Sequence, residues 1–260
     1  MVGDSGEKSV CLVIGAGAGI GGTVGARFAA EGYHAVLCRR SNETGLKTLI
    51  EGIESAGGAA TGFILNAVEP DTIEHRVAEI EETIGPIKVV IFNLGAQTGN
   101  HALADTSLKA FEVGWRMATF ALFRTAKAVF PYMQARGNGT LIVTSSTAAM
   151  RGNPAQHAHT AAMSARRTLC QSLNAEFSSQ GIHVAHVIVD GLVDAPDTVG
   201  KILGQAQYQA LRKARGLAKD GLILPDQVAE TYFQLANQHR STWTFEMDLR
   251  AFSDKPWWND

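Results

Sequence analysis

The sequence predicts an α/β fold, a single doubly wound parallel sheet of about seven strands with helices on both faces. Three observations carry that prediction. Short β-type runs alternate with helical patterns along the whole 260-residue chain, the order that parallel strands with crossover helices require. Several of those runs (VCLVI, KVVIF, TLIVT) are nearly all apolar, as strands are when both faces of a sheet are covered. The first run leads directly into a cluster of glycines and then a helix.

Taken in order, the first strand is the apolar run Val10–Ile14, and a helix follows near 20–31. Ala35–Cys38 (AVLC) is the second strand, followed by a helix near 43–56. Thr61–Leu65 is the third, before a helix near 70–84 whose Glu79, Glu81 and Glu82 read as a solvated face. Val89–Phe92 is the fourth, followed by a long helix at 107–136 whose Trp115, Phe120 and Phe123 read as core or interface. Thr140–Thr144 and His183–Val189 flank a helix near 156–180, and a helix near 226–239 precedes a last strand at Trp243–Met247. No linker, repeat or low-complexity stretch divides the chain, so residues 1–260 form one expected domain, with 1–8 as a flexible start. The least regular part, 190–224, carries Gly191, Pro196, Gly200, Gly204, Gly216 and Gly221. A long glycine-punctuated segment after a strand's carboxyl end is expected to be a substrate lid.

Composition narrows the function. An apolar fraction of 45% excludes a disordered chain, and no apolar run approaches the roughly 18 to 20 residues of a membrane helix. Twenty-three basic against 25 acidic residues give a net charge of −2, so no broad surface attracts a nucleic acid. The start MVGDSGEKS has no apolar h-region and is not a secretory signal. Cys11, Cys38 and Cys170 have neither metal nor redox spacing. Cys11 and Cys38 lie in apolar strand-like runs and are expected to be buried, reduced thiols in a cytoplasmic protein, and His157/His159 and His183/His186 are not convincing metal pairs, so no metal is expected.

Of the 27 glycines, a good share sits at 15–22 and in the 190–224 segment. Gly15, Gly17, Gly19 and Gly21, with Ile20, lie where the first strand meets the first helix. There, glycines let backbone N–H groups approach a pyrophosphate at a helix N-terminus, the Rossmann-type arrangement for a dinucleotide. The second strand ends in Arg39-Arg40 with no acidic residue. A carboxylate at that place takes a ribose 2′-hydroxyl, whereas arginine accommodates a 2′-phosphate. NADP(H) is therefore favoured over NAD(H), with Arg39 the main contact and Arg40 assisting or solvated.

With these motifs in order, the chain resembles the short-chain dehydrogenase/reductase family over nearly its whole length. Gly15/Gly19/Gly21 is similar to that family's Gly-x-x-x-Gly-x-Gly loop, Phe92-Asn93-Leu94-Gly95 to its Asn-Asn-Ala-Gly element, and Asp190-Gly191-Leu192-Val193 to its Pro-Gly turn. Thr144-Ser145-Ser146 ends the fifth strand as the family's catalytic strand does. The resemblance implies a sheet order of 3-2-1-4-5-6-7. It implies cofactor contacts from Asn66, Ala67, Asn93, Gly95, Gly191 and Val193 besides the glycine turn and the arginines. It also implies a homodimer or homotetramer and a small carbonyl or alcohol substrate.

The family's chemistry uses a Tyr acid tuned by a Lys four residues on, a Ser that polarises the substrate oxygen and an Asn in a proton relay. Ser146 is present here, but the Tyr position holds His159, the Lys position Met163 and the Asn position Ala118. Ala195 stands where a Thr often touches the cofactor carboxamide. His159 is either the working acid, since an imidazole donates near neutral pH untuned, or an ordinary helix histidine. Met163 reads as packing, and Arg166 and Arg167 as surface or subunit contacts. Tyr208, in the lid, is the one tyrosine placed to reach a substrate. Asp190 is a candidate to pair with His159 across the cleft, but a Ser146–His159–Asp190 hydrolase triad lacks a nucleophile elbow. Two readings remain: an NADP(H)-dependent oxidoreductase with an atypical site, and an inactive or weak dinucleotide-binding sensor or scaffold.

Overall fold

A computed structural model describes residues 8–95, 99–196, 199–216 and 219–259. The start expected to be flexible thus lies outside the described residues except for Lys8. Seven strands, β1 (Val10–Ile14), β2 (His34–Arg39), β3 (Ala59–Ile64), β4 (Ile87–Phe92), β5 (Gly139–Ser146), β6 (Ile182–Val189) and β7 (Glu246–Leu249), form one sheet. Every pairing is parallel, and the order is β3-β2-β1-β4-β5-β6-β7. The helices are α1 (Ile20–Ala30), α2 (Glu43–Ser55), α3 (Thr72–Thr83), α4 (Leu108–Trp115), α5 (Ala121–Arg136), α6 (His157–Phe177), α7 (Val199–Leu203), α8 (Gln205–Leu211) and α9 (Pro225–Ala236).

Alternation along β1 explains the apolar runs. Val10, Leu12 and Ile14 face a core built with α3, α5 and α6, while Cys11 and Val13 face a second core built with α1, α2 and α9. Successive side chains of a strand point to opposite faces, so a strand covered on both sides can spare no polar position. All three cysteines are buried and free in these cores.

Three elements differ from expectation. The last strand begins at Glu246, not Trp243, because Trp243 stacks on the His183 ring at 4.9 Å and so sits beside the sheet. The helix expected over 107–136 is interrupted by a π turn at Arg116–Phe120. Thr119 Oγ1 donates there to the Ala162 carbonyl of α6 at 2.8 Å, a bond that draws the wide turn inward. The acidic stretch on α3 is not a uniformly solvated face. Glu81 is nearly buried, holds Arg136 through two bonds of 2.7 and 2.9 Å and accepts the Ile87 N–H. Of the two alternatives for Trp115 and Phe123, core or interface, the core is excluded: they are 41% and 46% exposed, with Trp115 stacked on Phe120.

The β6–β7 pair carries an acid-sensitive contact. His186 is fully buried and its Nδ1 lies 3.0 Å from Glu246 Oε2, while no partner reaches Nε2 among the described residues. The neutral ring donating from Nδ1 satisfies this arrangement; protonating Nε2 would bury an unpaired N–H. Burial accordingly draws the imidazole down to about 4, against the opposing pull of Glu246. A folded pKa below the unfolded 6.5 means stability is whole above 6.5 and is lost as pH falls toward about 4. Melting temperature should decline across that window, and His186→Gln should flatten the decline. Equal slopes for variant and parent would contradict this assignment.

Candidate active site

The carboxyl ends of β1 and β4 diverge where the strand order reverses, and a cavity of about 420 Å³ opens there. Its walls come from the glycine turn (Gly15, Gly17, Gly19, Ile20, Gly21), the β4 end (Asn93, Leu94, Gly95), the β5 end (Thr144, Ser145), α6 (Met163, Arg166) and the segment after β6 (Gly191, Leu192, Val193, Ala195, Val199). Nine of the sequence-predicted cofactor positions meet in this one place.

The turn is built for close approach. Gly15 has φ +104°, and a Cβ there would lie 2.7 Å from the Asn93 carbonyl oxygen. Asn93 fixes the turn, its Nδ2 donating to the Gly15 carbonyl at 3.0 Å and its N–H to the Ile14 carbonyl at 2.8 Å. Helix α1 then starts without a side-chain cap and without an acidic residue in its first turn. An uncapped helix end facing a cavity suits an anion. Gly17 and Gly95 have open space where a Cβ would stand. These features fit a dinucleotide pyrophosphate.

Four predicted contacts lie at neighbouring strand ends, outside the cavity lining. Arg39 ends β2, half-buried, with its guanidinium beside Gly45 at the start of α2, and Arg40 is exposed. Asn66 donates to Glu69 at 2.8 Å, and buried Ala67 offers its carbonyl to Arg124 at 2.9 Å. Arg124 also grips Glu74 through bonds of 2.8 and 2.5 Å, an anchor for the post-β3 loop that sequence reading missed.

At the end of β5, Ser146 Oγ and His159 Nε2 are 3.2 Å apart, both half-buried, so sequence-distant residues meet as a polar pair. Neither lines the cavity itself, although Ser145, next in the chain, does. Met163 is buried against Ala118, Ala148, Ala149 and Ala162, with its sulfur 4.0 Å from Ser145 Oγ. The proton-relay position is therefore apolar.

Three expectations are corrected. Asp190 does not reach His159. Its carboxylate takes the Trp257 N–H at 3.1 Å and lies 3.6 Å from Arg250, because the C-terminal segment crosses this turn. Tyr208 is buried, and its hydroxyl donates to Asp194, which also pairs with Arg212; these contacts hold α8 in place and leave no hydroxyl for a substrate. Burial, with Asp194 alongside, raises the Tyr208 phenol to about 12. Arg166 is not a surface group. It is fully buried at the cavity wall, whereas Arg167 pairs with Glu246 at 2.6 Å. The spacing 159, 163, 166 follows i, i+4, i+7 on one helix face, a pattern that could have marked Arg166.

The sequence matches the short chain dehydrogenase family over residues 9–202. This chain belongs to that family. It is an NAD(P)-dependent oxidoreductase of the short-chain dehydrogenase/reductase type, with the seven-stranded sheet described above. Among relatives, the 3-oxoacyl-(acyl-carrier-protein) reductase FabG of Thermotoga maritima is 27% identical, the match covering 90% of this chain and 93% of the relative. A crystal structure of a short-chain dehydrogenase from Rhodopseudomonas palustris is 31% identical with a TM-score of 0.78, over 94% of this chain and 99% of that one. A metagenomic short-chain oxidoreductase solved in complex with NADP shares the fold at 21% identity and a TM-score of 0.79, covering 95% of this chain and 99% of that one. Among the described residues, no helix is long and apolar enough to cross a membrane, and no cluster of His, Cys, Asp or Glu is placed to hold a metal.

Proposed function

We propose that this short-chain dehydrogenase transfers a hydride between NADP(H) and a small carbonyl or alcohol, using Ser146 and His159 where the family uses Ser and Tyr. The observation that carries this reading is the 3.2 Å approach of Ser146 Oγ to His159 Nε2 at the end of β5, one residue beyond the cavity wall. A reduced nicotinamide held by the glycine turn would supply the hydride for the carbonyl carbon, its own oxidation balancing the reduction, and the residues of this chain would manage the oxygen and the proton. Ser146 holds that oxygen by its hydroxyl, and the His159 ring delivers the proton that completes the alcohol.

Cofactor contacts are assigned to Gly15, Gly17, Gly19, Ile20 and Gly21 for the pyrophosphate, to Asn66, Ala67, Asn93 and Gly95 along the β3 and β4 ends, and to Gly191 and Val193 beyond β6. NADP(H) preference rests on Arg39 and Arg40, since no carboxylate stands at the end of β2. Arg39→Asp should weaken NADPH binding about ten- to a hundredfold, the worth of a charge-assisted hydrogen bond, and shift preference toward NADH. Unchanged selectivity in a binding titration would contradict the assignment.

Exposed Phe111, Trp115 and Phe123 on α4 and α5 support assembly as a homodimer or homotetramer. The three buried thiols suit a cytoplasmic, reducing setting. A second reading takes support from the apolar cluster of Ala118, Ala162 and Met163: a dinucleotide-binding sensor with little turnover. The test is NADPH binding followed by NADPH oxidation over a panel of aldehydes, ketones and quinones. Binding with turnover on any of them supports the enzyme reading, and binding without turnover supports the sensor.

A further inference from the structure

We propose that Arg166 is the fixed cation of the cavity wall, a positioning residue that favours the bound dinucleotide and the oxyanion formed from its substrate. This deepens the dehydrogenase reading and rests on it. Arg166 has no exposed surface, yet it is the one charged residue among those described as lining the cavity. Its partners are three backbone carbonyls from three elements, two of them at the cavity wall. Nε donates to Ala118 in the π turn at 3.0 Å, Nη1 to Thr144 of β5 at 2.6 Å, and Nη2 to Leu94 after β4 at 2.6 Å. A guanidinium carries five N–H donors, so these bonds do not exhaust it.

No carboxylate pairs with it among the described residues; Glu246, the carboxylate that reaches the neighbouring Arg167, is taken by Arg167 and His186. Burial lowers the guanidinium to about 10, which leaves it charged at neutral pH. Carbonyl dipoles steady a buried cation without cancelling its charge, so a net positive field is left in a region of low dielectric. Met163, one turn earlier on the same helix face, is a thioether and contributes no charge. The ligand chemistry that this field favours is anionic oxygen, from either the cofactor or the reacting carbonyl. The π turn is part of the device, since its Ala118 carbonyl accepts from Nε.

The test compares Arg166→Leu, Arg166→Gln and Arg166→Lys with the parent in three measurements: NADPH affinity without substrate, kcat and KM for a carbonyl compound, and melting temperature. A unit charge roughly 10 Å from an anion at an effective dielectric near 20 is worth on the order of tenfold. Loss of the charge should therefore weaken NADPH binding, or lower kcat, by about tenfold in the Leu and Gln variants, with Lys restoring most of it. Weaker NADPH affinity assigns the charge to the cofactor, and lowered kcat at unchanged affinity assigns it to the oxyanion. Should the Leu variant fail to fold, the Gln and Lys pair decides. Parental affinity and kcat in a folded Gln or Leu variant would overturn the inference alone. Gln and Lys variants that lose melting temperature equally, with affinity and kcat intact, would also overturn it and leave Arg166 a structural clamp. A parent that binds neither NADPH nor NADH would overturn the dehydrogenase reading and this inference together.

Discussion

Gly21→Ala should cost about 1–3 kcal/mol of stability and weaken NADPH binding about a hundredfold, the worth of two charge-assisted bonds. A Cβ at position 21 would stand 2.3 Å from the Gly15 carbonyl oxygen and 3.0 Å from both Ala16 Cα and Asn93 Nδ2. Two of those neighbours are backbone, so the turn has to open, and the Asn93–Gly15 bond opens with it. Gly17→Ala is the informative control. Nothing lies within 4 Å of a Cβ there, so its melting temperature should match the parent while a side chain in the ligand's space weakens binding. Gly21→Ala with parental stability and affinity would show that the turn does not hold the dinucleotide as described.

His159→Ala should lower kcat by about 10² to 10⁴, the usual contribution of a positioned acid, with NADPH affinity unchanged. Affinity should survive because His159 is outside the cavity lining, and the Ser146 hydroxyl remains to hold the substrate oxygen. Steady-state kinetics beside a binding titration separate the two effects. A kcat equal to the parent's would mean that water delivers the proton and that His159 only orients Ser146. A joint loss of kcat and affinity would mean that the ring supports the cofactor site.

The fold was legible because its signals are local. A strand buried on both faces must be apolar throughout, so VCLVI and KVVIF could hardly be anything else, and the sheet order followed from family resemblance. The glycine turn was legible for a similar reason: Gly15 and Gly21 are demanded by contacts within one turn and its neighbour Asn93. Electrostatic partners at long sequence range were not legible. Glu81 looked like one of three solvated acids until Arg136, fifty-five residues away, closed on it. Asp190 looked free to meet His159, but the chain's return through Trp257 and Arg250 claims it. Arg166 was misjudged because charged residues are rarely fully buried, and the three carbonyls that accept from it are 22 to 72 residues distant. The strand that began three residues late, β7, shows the same limit: aromatic residues favour strands, but Trp243 found a better partner in His183.

The most direct measurement is deuterium transfer from NADPH deuterated at the reactive C4 position to a carbonyl compound, read by mass spectrometry of the alcohol. A working hydride site predicts alcohol carrying the deuterium at the former carbonyl carbon, formed from one face of the cofactor, with the yield reduced in His159→Ala. NADPH that binds tightly and transfers no deuterium to any aldehyde, ketone or quinone would contradict the account.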